Sequence, residues 1–299
     1  MLRYRSESQY LTHINRGGTY CIGINMTTIN VTICGYMTNV KTILLALAIV
    51  LMVLVPPVLA MPAATADDED KYKLKDEWKN KNMVVEQHGE LTQVVYFLTE
   101  IGDPDANGAQ DAYEWDGLKW YSYPVQYTIN PATPVKKYAL TQTAVVQAVK
   151  NSFEAWDGNI GNILFSDSPT VNSKARASMG RPDYKNVVTW GAISDNNVIA
   201  MTTIWYYTSN KQIVDTDMVF NTYYKWGIDK DGEDRKYSLP GATFDIQNIG
   251  THEAGHAYGL SDIYDSKYSA MTMYGYASHG EVYKRSLEAG DIAGVRTIY

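Results

Sequence analysis

Residues 252–262 read HEAGHAYGLSD, and this stretch decides the fold. A spacing of four residues places His252 and His256 one turn apart on the same face of an α-helix, so both imidazoles can bind one ion. Glu253 lies about 100° around the helix, where its carboxylate can hold a water molecule without taking a coordination position. The pattern therefore predicts a metal-binding helix that carries a general base beside its ligands.

Gly259 and Asp262 complete the predicted site. Glycine readily adopts the left-handed conformation that ends a helix, so Gly259 is expected to turn the chain and bring Asp262 to the ion. A zinc ion with three protein ligands keeps a fourth position for water, which is typical of a catalytic site. Asp262 has a second interpretation, as an acceptor that orients a histidine ring. We favour it as the ligand because its spacing from the helix is short. Its rivals for that role are Asp265, His279, Glu281 and Glu288.

The predicted helix contains two interior glycines, Gly250 and Gly255. Each costs about 1 kcal/mol relative to alanine in a helix interior. An ordinary amphipathic helix with structural histidines is the alternative interpretation of this segment. The glycines favour close approach of other groups over helix stability, and this supports the zinc site.

Composition and the N-terminal part bear on partners and location. The chain has 299 residues, is 45% hydrophobic and carries a formal net charge of -7, which argues against a nucleic-acid partner.

Residues 43–60 are apolar, follow Lys41 and precede the acidic residues 67–70, as in a secretory signal peptide. Two prolines break the run after about thirteen residues, which is short for a membrane span. An uncleaved membrane anchor is the competing interpretation, and both place the rest of the chain outside the cytoplasm.

The sequence before the apolar run suggests a late start. Signal peptides begin at the N-terminus, so we hypothesise that Met37 is the true start and that residues 1–36 are a dubious extension. Cys21 and Cys34 both fall in that extension, so the mature chain is expected to have no disulfides. The predicted organisation is then a signal peptide at 37–66, an acidic extension or propeptide at 67–114 and a catalytic domain at 115–299.

A possible second cation site precedes that domain. The pattern of a calcium-binding loop is matched in full, although the eighth position is glutamine instead of an apolar residue and the flanks do not resemble helices. Ca²⁺ binding and a plain surface loop rich in Asp and Gly both stay open. The matching residues are Asp103, Asp105, Asn107, Gly108 and Glu114.

Hydrophobic periodicity predicts an α+β domain. Residues 66–82 are expected to form a solvated linker, residues 91–98 fit either a strand or a helix, and compact structure is expected from about residue 115. The predicted elements are strands at 125–129, 186–193, 198–206 and 213–220, a long helix at 141–156, the metal-binding helix at about 246–258 with Asp245 as its cap, and a helix near Asp291.

The residues resemble the metzincin metallopeptidases, and more narrowly the matrixin-like and snapalysin-like members. The resemblance rests first on HExxHxxGxxD, since snapalysin-like enzymes carry aspartate as the third ligand. Residues 269–276, SAMTMYGY, resemble the Met-turn, in which either Met271 or Met273 packs beneath the zinc. Residues 217–221 resemble the strand before the site helix, and residues 287–299 resemble the closing helix of matrixin domains. The resemblance implies a twisted, mixed five-stranded sheet with a long helix, the active-site helix, the Met-turn and a C-terminal helix.

The resemblance also implies a function. It predicts a secreted zinc endopeptidase in which His252, His256 and Asp262 bind Zn²⁺ and Glu253 acts as general base. The strand at 198–205 is expected to be a free sheet edge that pairs with an extended peptide substrate. We expect a monomer with no nucleic-acid partner and no membrane association after signal cleavage. The alternative is a cell-surface binding module that keeps the fold without catalysis.

Overall fold

The computed structural model describes residues 10–14, 19–26, 29–36, 71–100, 109–230, 239 and 241–299. The chain divides into two units, residues 1–66 and 67–299. In the first, strands β1 (Tyr10–Ile14), β2 (Thr19–Met26) and β3 (Ile29–Tyr36) form an antiparallel sheet. The apolar run at 43–60 and the start at Met37 lie outside the described residues, so the signal peptide stays a prediction. Within the described part, no helix is both long enough and apolar enough to cross a membrane.

The second unit is built on a mixed sheet flanked by helices. The strands of this unit are β4 (Lys71–Tyr72), β5 (Met83–His88), β6 (Leu91–Glu100), β7 (Glu114–Trp115), β8 (Tyr127–Ile129), β9 (Thr170–Val171), β10 (Asn186–Ile193), β11 (Val198–Tyr207), β12 (Ile213–Asn221), β13 (Lys225–Gly227), β14 (Thr243–Asp245), β15 (Leu260–Ser261) and β16 (Tyr276–Ala277). The helices are α1 (Ala132–Tyr138), α2 (Gln142–Asp157), α3 (Ile246–Ala257) and α4 (Ala289–Ile298).

The sheet order is β16-β6-β11-β12-β10-β8-β9, with β4 beside β10 and β5 beside β6. Strands β8, β9, β10 and β12 run parallel, whereas β11 runs antiparallel to β12. The α+β fold with a mixed sheet is confirmed, but the sheet has nine strands where the resemblance implied five, because β4, β5, β6 and β16 join it. Two short pairs, β13 with β14 and β15 with β7, lie outside the large sheet.

The predicted elements after residue 115 agree with the structure within a few residues. The helix expected at 141–156 is α2, and the Thr141 hydroxyl caps it by accepting from Ala144 N at 3.2 Å. Its apolar face, including Phe153 and Trp156, lies in the core between the sheet and α3. Periodicity was informative here because each element buries one regular face.

Helices α2 and α3 pack closely because α3 contains glycine. A Cβ at Gly250 would lie 2.5 Å from Ser152 Oγ, and a Cβ at Gly255 would collide with the Trp156 ring. The Trp156 indole also donates to Thr251 O at 2.8 Å. The interior glycines therefore serve the approach of α2, as the sequence suggested.

Three expectations about residues 66–115 and the sheet edge are wrong. Residues 91–98 form part of β6, which pairs with β11 over its whole length, so β11 is not a free edge. The supposed solvated linker contains Leu74 and Trp78, which are buried. Compact structure therefore includes residues 71–100 and does not begin near residue 115. The apolar run at 91–98 was ambiguous because it is covered on both faces, which removes the alternation of a half-buried strand.

Candidate metal centre

The site helix α3 is held firmly at its start. The Asp245 carboxylate caps it by accepting from Asn248 N at 2.8 Å. The same carboxylate accepts two hydrogen bonds from Arg285, at 2.8 and 2.6 Å, and both side chains are buried. A paired, hydrogen-bonded charge of this kind fixes the orientation of the helix.

Two histidines of α3 and one aspartate from the loop after it converge. His252 Nε2 and His256 Nε2 lie 3.3 and 3.5 Å from Asp262 Oδ1, and all three side chains are buried. Their candidate ligand atoms lie within 4.8 Å of one another. The structure thus brings together the three residues that the sequence singled out as ligands.

The two imidazoles present the same nitrogen to this point. His252 Nδ1 lies 2.8 Å from Thr272 O, and His256 Nδ1 lies 2.9 Å from Leu260 O. A carbonyl can only accept, so each Nδ1–H donates, and in the neutral ring Nε2 then carries the lone pair. Both rings therefore have the tautomer that binds a metal through Nε2.

Asp262 reaches the site by a glycine turn. Gly259 has a φ of 103°, and a Cβ there would collide with the Leu118 carbonyl. The next residues form β15, and Asp262 follows it. Its second carboxylate oxygen accepts from the Tyr264 hydroxyl at 2.7 Å. Burial alone would raise the pKa of Asp262, but the adjacent His256 and His252 hold it below the ordinary value.

Glu253 lies between the site and the sheet. Its Oε2 accepts from the Thr202 hydroxyl of β11 at 2.5 Å, while Oε1 is buried without a hydrogen-bond partner. Burial raises the pKa of Glu253, which makes the carboxylate a better proton acceptor. Its environment suits a general base.

The loop of residues 269–276 packs against the site helix. Met273 Sδ packs against Gly255, whereas Met271 packs near Gly290 in α4, so Met273 is the methionine beside the site helix. The buried Asp291 carboxylate accepts from Thr272 N at 2.9 Å and Met273 N at 3.1 Å. Burial raises the pKa of Asp291 to about 6. Helix α4 therefore holds the turn that orients His252.

A buried lysine continues this loop. Lys284 Nζ donates to the carbonyl oxygens of Tyr274, at 3.2 Å, and of Tyr276, and it lies 3.2 Å from the Glu281 carboxylate. Glu281 in turn accepts from Asn248 of α3 at 3.0 Å. The network ties the strand β16 to the first turn of the site helix.

The rivals of Asp262 lie elsewhere or serve other bonds. His279 Nδ1 is 2.6 Å from Glu100, and its ring packs against Phe244. Glu281 belongs to the lysine network, Asp265 caps a short 3-10 helix, and Glu288 caps α4. None of them joins the group of candidate ligands among the described residues.

The site is covered from the β6 side. The Tyr96 ring stacks on His256 with centroids 4.0 Å apart and 5° between the planes, and its hydroxyl lies 3.1 Å from Ser261 Oγ. A cavity of about 580 Å³ adjoins the site, with Met83, Tyr96, Asp262 and Tyr264 in its wall. The covering residue is thus part of the hairpin β5–β6.

Several supporting residues escaped sequence analysis. Thr202 lies in a strand that was predicted, but nothing in the sequence indicated that its hydroxyl meets Glu253. Tyr264 follows Asp262 by two residues, a spacing that only the turn geometry makes meaningful. Tyr96 lies in a run whose secondary structure the sequence left undecided, and Lys284 offered no pattern at all.

Most of the possible calcium loop lies outside the described residues. Asp103, Asp105, Asn107 and Gly108 lie outside the described residues, and Glu114 is exposed in β7. Ca²⁺ binding therefore stays a prediction.

Comparison with known proteins gives one match. A family model described as matrixin matches residues 119–299, which is more than half of the chain. Neither a curated protein nor a solved structure matches the chain.

Proposed function

The chain belongs to the matrixin family, and on that premise we propose that it is a zinc-dependent endopeptidase. The family implies zinc metallopeptidase activity, and the residues that we propose for this activity are all buried. The proposed metal ligands are His252, His256 and Asp262, and the proposed general base is Glu253.

One observation carries the proposal. His252 Nε2, His256 Nε2, Asp262 Oδ1 and Glu253 Oε1 are all buried without a hydrogen-bond partner. A buried polar atom without a hydrogen bond costs about 1–3 kcal/mol, so three such atoms that face one another, with a fourth on the adjacent residue Glu253, are expected only where something else binds. Two neutral imidazoles and a carboxylate are a donor set that suits Zn²⁺. The residues therefore fit the ion.

The protein groups have separate chemical roles. Bound zinc would supply a Lewis acid that polarises the scissile carbonyl and lowers the pKa of a water molecule to about 7. Glu253 takes the proton from the attacking water at Oε1 and later delivers it to the leaving amine. The hydrogen bond from Thr202 holds Oε2, which leaves Oε1 as the carboxylate oxygen without a protein partner. The buried Glu253 carboxylate next to the candidate ligands in the sequence supports catalysis over the non-catalytic module.

We also propose an extracellular location. Matrixins are typically extracellular, and the apolar run at 43–60 has the composition of a secretory signal. Peptide mapping of the exported product tests this: an N-terminus at or after residue 61 supports cleavage, whereas peptides from residues 1–36 contradict the start at Met37.

The activity test compares wild type with Glu253→Gln. Each enzyme is loaded with zinc and assayed in two forms, as the intact chain and after limited trypsin treatment that is stopped with a serine-protease inhibitor. The substrate is a denatured protein. We expect cleavage by wild type that a chelator abolishes and zinc restores, and a loss of at least 1,000-fold in the variant at equal zinc content. Retained cleavage by Glu253→Gln would contradict the assigned base.

A further inference from the structure

We infer that the hairpin of residues 83–100 fills the substrate groove of this same chain, so that the described arrangement is a latent form. This inference rests on the proposed function, because a substrate groove requires a substrate. The groove is the space between β11 and β16, and its occupant is β6.

Strand β6 has the position of a bound peptide. It runs antiparallel to β11, with Val198 opposite Thr99 at one end and Tyr207 opposite Leu91 at the other. Beyond the site it also runs parallel to β16, where Tyr276 pairs with Thr99. Thr99 therefore has a paired strand on each side. An extended peptide that enters a sheet by strand addition makes backbone pairs of this kind.

The register places the middle of β6 over the site. Tyr96 lies opposite Thr202, the residue whose hydroxyl binds Glu253. The Tyr96 ring covers His256 by stacking, and its side chain is buried. A peptide bond presented to Glu253 would have to occupy the backbone position that β6 holds next to Thr202. Substrate and β6 therefore exclude each other.

The outer face of β6 secures the hairpin. Val95 and Phe97 belong to a small core with Val198 and Met201 of β11, which also includes Trp78. The other edge of β6 pairs with β5, whose Val85 is 53% exposed. The opposite face of β6 carries Val94, Tyr96 and Leu98, which lie in the main core. The hairpin thus attaches through β11 and through both cores, while the β5 edge faces solvent.

The chain after the hairpin has its own attachment. Ala109 N donates to Lys267 O at 2.5 Å, Gly290 N donates to Gln110 O at 2.6 Å, and β7 pairs with β15. These bonds do not involve the hairpin. After a cut between Glu100 and Ala109, β5 and β6 would be held only by noncovalent contacts, which include the pairing of β4 with β10 and the bond from Leu74 N to Ser194 Oγ at 2.9 Å. Residues 109–115 would stay bound to the domain.

The test uses the full chain with two changes. The first is a recognition sequence for a site-specific protease between Glu100 and Ala109. The second is the pair Val95→Cys and Thr203→Cys, which lie directly opposite each other in the register. Thr203 contacts Met179, and Val95 lies in the outer core, so neither cysteine faces the metal site. Cys21 and Cys34 are replaced by serine so that only one disulfide can form.

Four zinc-loaded states are then compared: cut or uncut, each oxidised or reduced. The readouts are hairpin release by size exclusion, amide hydrogen exchange of residues 198–207, and cleavage of a denatured protein. Val95→Cys alone, under the same treatments, controls for reductant effects on zinc. We expect release only in the cut, reduced state, with exchange in 198–207 at least 10-fold faster and cleavage at least 100-fold faster than in the cut, oxidised state.

Two results would overturn the inference. One is cleavage by the cut, oxidised protein at the rate of the cut, reduced protein, because β6 would then not exclude substrate. The other is unfolding of the domain when the hairpin leaves, which would make β6 a permanent part of the core. Release with a folded domain and faster exchange, but no cleavage in any state, supports the occupied groove and refutes the peptidase instead.

The uncut chain supplies an independent comparison. Reduction permits transient opening of β6, whereas the disulfide prevents it. We expect the reduced, uncut protein to cleave at least 10-fold faster than the oxidised one. Equal rates, well above those of Glu253→Gln, would contradict the inference without any need for the trimmed domain to fold.

Discussion

Gly255 lies between the two histidines of the site helix, where replacement by alanine would insert a methyl group into a filled space. The added Cβ would collide with Met273 Sδ and with the Trp156 ring. Methionine can move because it is flexible, but the Trp156 indole donates to Thr251 O at 2.8 Å and resists displacement. Gly255→Ala is therefore expected to destabilise the fold although alanine favours a helix.

The size of the effect follows from three contributions. Overpacking costs about 1–3 kcal/mol. A weakened tryptophan hydrogen bond costs about 1 kcal/mol more. The higher helix propensity of alanine offsets about 1 kcal/mol. The free energy of unfolding should thus fall by about 1–3 kcal/mol, which lowers Tm by about 2 to 12 °C for a unit of this size.

The assay is thermal unfolding followed by circular dichroism, with free zinc buffered at one concentration because bound metal stabilises the native state. Gly161→Ala is the matched control, since a Cβ at Gly161 meets nothing within 4 Å. Its Tm should change by no more than about 2 °C, a ΔΔG within about 0.5 kcal/mol. A Gly255→Ala protein as stable as wild type would refute the packing argument.

Two further substitutions test buried charges. Lys284→Met should lower the free energy of unfolding by about 3–5 kcal/mol, because it leaves Glu281 buried without its cation and the Tyr274 carbonyl without its donor. In chemical denaturation, the addition of Glu281→Gln to the Lys284→Met protein should restore part of this free energy. No restoration would contradict the pairing of Lys284 with Glu281. Asp215 is buried, and burial raises its pKa from 3.8 to about 7. Between these two pH values the folded state binds more protons than the unfolded state. The free energy of unfolding therefore falls by up to about 4 kcal/mol as the pH rises from about 4 to about 7. Asp215→Asn should therefore raise Tm relative to wild type at pH 8 and not at pH 4, and an equal difference at both pH values would exclude this cause.

Sequence reasoning succeeded where local chemistry determines structure. The spacing of His252 and His256, the cap at Asp245 and the turn at Gly259 each follow from interactions within a few residues. The amphipathic face of α2 was predicted for the same reason, since its residues contact one continuous core.

It failed where distant segments meet. Residues 91–98 lack alternation because both faces of β6 are covered, so neither their strand nor its pairing with β11 was predictable. The contacts of Thr202 with Glu253 and of Tyr264 with Asp262 depend on register and turn geometry. A composition-based view of residues 66–82 overlooked Trp78, a single apolar residue that anchors the segment.

We propose Asp262 as the third zinc ligand beside His252 and His256. The most direct test is the dissociation constant for zinc, measured by competition with a chromophoric chelator, in wild type, Asp262→Ala and the exposed neighbour Asp265→Ala. We predict that Asp262→Ala weakens zinc binding more than 100-fold, beyond the 10–100-fold typical of a residue that only orients a ligand, while Asp265→Ala binds as wild type does. Weakening of 100-fold or less in Asp262→Ala would contradict direct ligation.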